Sequence, residues 1–473
     1  MAELRQLALR AQAKGDYVAS INFLSSALAV APSPAEGAAI QEALGDAQER
    51  ISDLPGAVTL YKEALKTSTS REYSARLHRK IAFALVRSGE ARSASSEIEA
   101  AFASLGDGPS VEHGWLNLLR CRLGVDQIQW EEARESGELA LQTFQMFQLP
   151  QGQAVTLVEL GFLEMHSQLA DPTSAERRLN EAMALTRVLT DNELAARVHG
   201  AMAHLLLYHR AGTAEAAMEH VAAIEKLPEA MENPQTRLSV LMYKAWHSLE
   251  FLPDYPQAEA RFQEAFALAR RVFDSSVIAD AKFGLAFVPY FQGKFDEARR
   301  ELEEFLSEVR AQGRMGGVMP VACGSAAVET PWWLALACLL NDDLKSFRRI
   351  AVSYNNPDLA GGPQYPVLVR TFGAYNCLIE RDRDGFHRLF QEAIRLSEEG
   401  HAIQQAPYVY YPEFAHLFYG LGLRALGLDR EGKEQVRTAA RRLESSGLRG
   451  MLSLIPILER RLPPILRGMM HGS

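Results

Sequence analysis

The stretch Ala281–Leu306, AKFGLAFVPYFQGKFDEARRELEEFL, decides how the chain is read. Phe283, Ala286, Phe287 and Tyr290 recur at steps of three and four, and Phe295, Ala298, Leu302 and Phe305 do the same. That spacing gathers apolar side chains on one face of a helix. Between the two patterns Gln292-Gly293-Lys294 supplies a turn, where Gly293 can take the backbone shape a tight reversal needs. Gly284, Ala286 and Ala298 are small enough to let two helices approach closely. The stretch is one helix–turn–helix hairpin, and most of the chain reads as copies of it.

The copies share a register. A small residue recurs on the second helix at Ser20, Ala57, Ala94, Ala133, Ala175, Ala216, Ala258 and Ala298, with gaps of 37 to 42 residues. Seven residues later a second column runs through Ala27, Ala64, Ala101, Ala140, Ala182, Ala223, Ala265 and Phe305. Between them stand Leu24, Tyr61, Ile98, Gly137, Leu179, His220, Phe262 and Leu302. An isolated hairpin leaves an apolar face bare, so each copy must stack on the next. Small residues on the second helix mark where it crosses a neighbour at short range. The turns carry Gly, Asp or Pro, as at Gly15-Asp16, Asp53-Leu54-Pro55, Gly89-Glu90, Asp171-Pro172 and Asp254-Tyr255-Pro256. Such residues end one helix and cap the next. No alternating run long enough to build a sheet is present.

Gly15-Asp16-Tyr17, Ala27 and Pro32, and later Gly293, Phe295 and Ala298, resemble the tetratricopeptide repeat. The repeat unit here is longer than that family's usual ~34 residues. In this it is similar to arrays in large bacterial signalling proteins: maltose-activator-type transcription regulators, AAA-ATPase and nucleotide-cyclase regulators, and some serine/threonine kinases. The resemblance covers residues 3–310 well and 327–448 loosely. It implies an all-α α-solenoid, a right-handed superhelix of about ten or eleven hairpins. By sequence the regular array of eight hairpins spans 1–310. Less regular hairpins fill 311–448, with irregular loops at 312–329 and 354–366, where Gly-rich and Pro-rich strings break helices. Residues 449–473 form a capping helix and tail over the final hairpin. Arg460, Arg461 and Arg467 flank its apolar residues, so the competing reading is a helix that docks on a partner or membrane surface.

Composition bounds the function. The chain has 473 residues, 47% hydrophobic, with a net charge of −9. That balance argues against a nucleic-acid binder, although the residues from Arg430 onward carry nine Lys/Arg against four Asp/Glu. Four cysteines, Cys121, Cys323, Cys338 and Cys377, form no C-x-x-C pair and read as free thiols of a reducing compartment. No signal sequence opens the chain and no run is long enough for a membrane span, so the expected location is the cytoplasm. The chain opens inside the array. It is therefore either a stand-alone adaptor or a piece of a longer polypeptide.

Signatures of catalysis and of nucleotide binding are missing: there is no H-E-x-x-H, G-x-S-x-G or G-x-x-x-x-G-K-[ST]. Glu380–Gln391 has calcium-loop spacing at Asp382, Asp384 and Gly385, but Gln391 stands where a bidentate Glu is needed. Cys323 lacks a nearby base, and His166, His204, His209 and His220 fall at helix packing or surface phases. No cofactor and no metal is expected. The expected partner is a protein or peptide in the concave groove lined by first helices. Phe162, Met165, Phe283, Phe287, Tyr290, Phe291, Trp332, Trp333, Tyr408 and Tyr411 are the candidate aromatic and apolar contacts, with Arg76 and Arg79 as a basic patch. The reading is a non-enzymatic scaffold or regulatory module. The alternative is a ligand-sensing domain of a larger signalling protein, its pocket formed by 312–329 and 354–366.

Overall fold

A computed structural model describes residues 1–473 except 13–15, 52, 69, 107, 128, 167–170, 211, 272–274, 312–323, 354–363, 403–410 and 472–473. Among the described residues the structure is all helix, with no strand. The pairs run in order: α1 (Ala2–Gln12) with α2 (Tyr17–Ala29), α3 (Pro34–Arg50) with α4 (Leu54–Lys66), α5 (Arg71–Arg87) with α6 (Ala91–Leu105), and α7 (Val111–Asp126) with α8 (Trp130–Met146). Next come α9 (Pro150–His166) with α10 (Pro172–Leu189), then α11 (Asn192–Tyr208) with α12 (Ala214–Glu225) and a short α13 (Pro228–Glu232). α14 (Pro234–Trp246), continued by a π-helical turn His247–Phe251, pairs with α15 (Tyr255–Arg271), and α16 (Ser275–Phe291) with α17 (Phe295–Ala311). The last pairs are α18 (Gly324–Leu340) with α19 (Leu344–Ser353), α20 (Gln364–Ile379) with α21 (Arg383–Ala402), and α22 (Tyr411–Ala425) with α23 (Asp429–Ser445). One further helix, α24 (Arg449–His471), follows. The fold class is an α-solenoid, with eleven helix pairs among the described residues.

Two compact units can be distinguished. The first comprises Met1–Leu160, Glu181–Leu194 and Leu268–Ser275; the second comprises Gly161–Asn180, Ala195–Ala267 and Ser276–Ser473.

The turn inside most of the hairpins follows one chemical rule; Asp254 instead reaches six positions back to Ser248 and Asp171 seven back to Glu164. By that rule the amide of the residue that caps the second helix reaches back five positions, as in Asp53 to the Gln48 carbonyl (2.9 Å), Glu90 to Leu85 (2.9 Å), Lys294 to Pro289 (2.9 Å) and Asp343 to Cys338 (2.9 Å). This bond satisfies a carbonyl that the ending helix leaves open. Between them a residue sits in the left-handed region, Gly89 at φ 79° and Gly293 at φ 75°, where a glycine carries no Cβ penalty. An aspartate often then caps the second helix: Asp16 accepts from the Ala19 amide (2.9 Å), Asp53 from Gly56 (3.1 Å), Asp171 from Ser174 (3.0 Å) and Asp343 from Ser346 (3.0 Å). Asp382, at the calcium-like spacing, does the same for Gly385 (2.8 Å). Its carboxylate starts α21.

The small-residue columns stand at fixed distances from that cap. Ser20, Ala57, Ala94, Ala133, Ala175, Ala258 and Ala298 lie four residues after it, and all are fully buried. The sixth hairpin corrects the sequence reading by one residue. Thr213 caps α12, so the buried positions are Ala217, Val221 and Ile224, while Ala216, His220 and Ala223 are not fully buried. Spacing alone leaves the register open here, because Ala216 and Ala217 are the same residue type and only the cap at Thr213 distinguishes them.

Candidate partner-binding site

The first helices of unit 1 carry a chain of charges. Arg76 holds Glu42 at 3.0 Å, Lys80 bridges Glu42 (2.8 Å) and Asp46 (2.6 Å), and Arg87 lies 3.7 Å from Glu49. Arg79 pairs with Glu112 and sits 5.8 Å from the Trp115 ring. Burial by itself would raise the Glu42 carboxyl, but Lys80 and Arg76 overcome it and hold the group below its ordinary value. Tyr61 adds its hydroxyl to Asp46 (2.8 Å). Thus Arg76 and Arg79, read from sequence as a basic patch for a partner, each face an acid on a neighbouring first helix. Sequence could not pair them, since the acids lie 34 and 33 positions away.

In unit 2 the aromatic candidates form a seam instead of an open wall. Trp246 meets Phe262 (5.0 Å between ring centroids) and Phe283 (6.0 Å), and Phe287 meets Trp333 at 5.0 Å. Tyr290 lies 5.3 Å from Trp333, Trp333 lies 5.4 Å from Phe414, and Trp332 stacks on Phe372 at 5.1 Å. Ring contacts of this kind, most of them edge-to-face, join α14, α16, α18, α20 and α22. Phe283, Phe287, Tyr290, Phe291, Trp332, Trp333 and Met165 are all buried, and Tyr290 is wholly so. This corrects the expectation that they line a groove open to a ligand. A first helix is flanked by a neighbour on either side, so apolar residues at its three- and four-residue steps are consumed by stacking. Phe162 is half-buried, 5.8 Å from the His204 ring. Tyr408 and the side chain of Tyr411 lie outside the described residues, as do residues 312–323 and 354–363 of the loops weighed as a sensor pocket.

The surface that does receive a helical segment was missed. α24 is amphipathic, burying Met451, Leu454, Ile455, Leu458, Leu462 and Leu466. It packs on α22 and α23, continues onto α18 and α20, and touches the π turn after α14. Gly450 sits so close to the Leu249 and Glu250 backbone that a Cβ would collide with it. The hydroxyls of Ser453 and Tyr255 are 2.7 Å apart, and Ile457 covers Gly293 in the α16–α17 turn. Arg461 donates to the Leu340 carbonyl at 2.8 Å and lies 5.1 Å from the Phe295 ring, while Glu459 accepts from Arg424 at 2.5 Å. The segment read as a cap on the last hairpin thus crosses the turn ends of several. The sequence carries the period in Leu454, Leu458, Leu462 and Leu466, interrupted by Pro456, Pro463 and Pro464. All three sit inside a continuous helix.

Among the described residues no group of three or more His, Cys, Asp or Glu is arranged to hold a metal ion, and no helix is long and apolar enough to cross a membrane. No protein-family model matches the chain, and no curated protein matches it in sequence. Solved structures with a similar course of helices include a Rap protein complexed with competence and sporulation factor, at 13% identity and TM-score 0.49, covering 87% of this chain and 98% of that one. Another is a signal-transduction ATPase with a tetratricopeptide repeat sensor from Pyrococcus horikoshii, at 12% identity and TM-score 0.44; the match covers 96% of this chain and 55% of that one. A third is yeast Tom70, at 16% identity and TM-score 0.38, covering 100% of this chain and 99% of that one. At these values the likeness is one of helical architecture and carries nothing about ligand or activity.

Proposed function

We propose that this chain is a non-enzymatic scaffold that binds a segment of another protein. The observation that carries the reading is α24 itself. Unit 2 already holds a 23-residue amphipathic helix by buried apolar contacts with a few directional polar ties. That is the chemistry by which helical segments are recognised in grooves between helices. A stack of hairpins supplies such contacts over a long surface, because every added pair repeats the same ends and faces.

Selection from a library of displayed protein fragments on the immobilised full chain tests this. Overlapping fragments that share one amphipathic helix are expected to be enriched. No enrichment over shuffled-sequence fragments of equal composition would count against a scaffold.

A further inference from the structure

We propose that α24 is an internal occupant of the surface where unit 2 takes its partner. The partner is then an amphipathic helix with apolar residues in α24's register and an arginine at the place of Arg461. This rests on the scaffold reading above and names what the scaffold binds.

In a hairpin stack each copy ordinarily touches only its neighbours. α24 departs from that rule: its near end meets Leu249, Glu250 and Tyr255, its middle meets Gly293 and Phe295, and Arg461 reaches Leu340. The contacted places are alike. They lie around hairpin turns, from the carboxyl ends of first helices to Tyr255 and Phe295, which open the second helices; at those carboxyl ends carbonyls are left over and the helix dipole is negative. Arg461 supplies a cation and a donor to the end of α18 and spreads its guanidinium over Phe295. Arg424, in the last turn of α22, offers the reciprocal cation to Glu459. The seat therefore selects an apolar stripe, an acid, and an arginine two positions further on.

α24 is built to leave. Pro456, Pro463 and Pro464 each remove a backbone donor from its interior, so it holds its helical form poorly without the seat. Its outward stripe of Arg449, Arg460 and Arg467 is exposed and carries no ion pair among the described residues. Little on that side ties it down.

The test uses the full chain and a labelled synthetic peptide of residues 449–471, read by fluorescence anisotropy. A G450A/L458D chain should release its own helix, since a Cβ at position 450 would meet the Leu249 and Glu250 backbone and Leu458 is fully buried. That chain should bind the peptide at least tenfold more tightly than wild type, and a peptide carrying Arg461→Glu should bind it at least tenfold more weakly. Circular dichroism should show the helical content retained apart from the share of α24 itself, and sedimentation a single-chain mass. Should the double variant lose its helical signal, the exposed substitution Arg461→Glu in the chain serves in its place with the same expectation. Equal peptide binding by wild type and released chain, or none by either, overturns the proposal, and so does release accompanied by dimerisation through exchanged α24. Fragments enriched equally on wild type and released chain would leave the scaffold reading standing and remove α24 from its site. Peptide binding without any enriched fragment would do the opposite.

Discussion

Gly284 shows how single atoms set the spacing of this stack. It faces the ring of Phe262 on α15, so a Cβ there would collide with a fully buried side chain. The glycine read from sequence as easing approach within its own hairpin in fact admits the preceding one. Gly284→Ala should therefore destabilise the fold by about 1–3 kcal/mol, the usual cost of overpacking, despite alanine's better helix propensity. Denaturant unfolding of the variant against wild type measures it. Glu413 supplies a second case. It is buried, and burial pushes its carboxyl up to about 7, against the pull of its own backbone amide and Arg442. Because the folded state keeps a proton that the unfolded state loses, this group's contribution is complete at low pH. It fades as pH rises from the ordinary glutamate range through about 7. Wild type should lose stability relative to Glu413→Gln across that window, at no more than about 1.4 kcal/mol per pH unit. Chemical denaturation of both proteins at stepped pH values checks the sign; parallel curves would contradict it.

At the scale of helices, the columns that revealed the repeat are physical. They count from the capping residue because the cap fixes where the second helix begins, and its fourth, eighth and eleventh positions then face the first helix. This much was legible, since burial leaves alanine, serine or a matched bulky residue at those places. The sixth hairpin marks the limit of that legibility: the pair Ala216-Ala217 offers two equal registers, and only the cap at Thr213 chooses. Ala217→Leu should cost about 1–3 kcal/mol, while Ala216→Leu, on a position that is not fully buried, should change stability by less than about 0.5 kcal/mol. Thermal unfolding of the pair decides between registers. The aromatic residues were legible as a cluster but not as a seam. Helical spacing tells which side chains share a face, whereas the number of neighbours that cover the face depends on the stack. Arg76 and Arg79 were misread for the same reason: Glu42 and Glu112 lie on other helices.

For the molecule as a whole, what matters is whether unit 2 is merely a run of neighbours or is also tied across several hairpins, from the π turn onward. α24 makes the difference, crossing from the π turn at His247–Phe251 to Leu340 and Arg424. Its apolar period could be read from sequence; its seat could not, because the receiving residues are scattered from Leu249 to Arg424. Local opening in a stack without this tie would be limited only by adjacent pairs. Amide hydrogen exchange on wild type and the G450A/L458D chain measures the tie directly. Protection should fall at 247–257, 291–296, 338–344 and 420–428, where α24 rests, and stay unchanged in α3 to α8 of unit 1. Equal exchange in both proteins at those turn ends, or a uniform loss through both units, would contradict a helix seated where this structure has it.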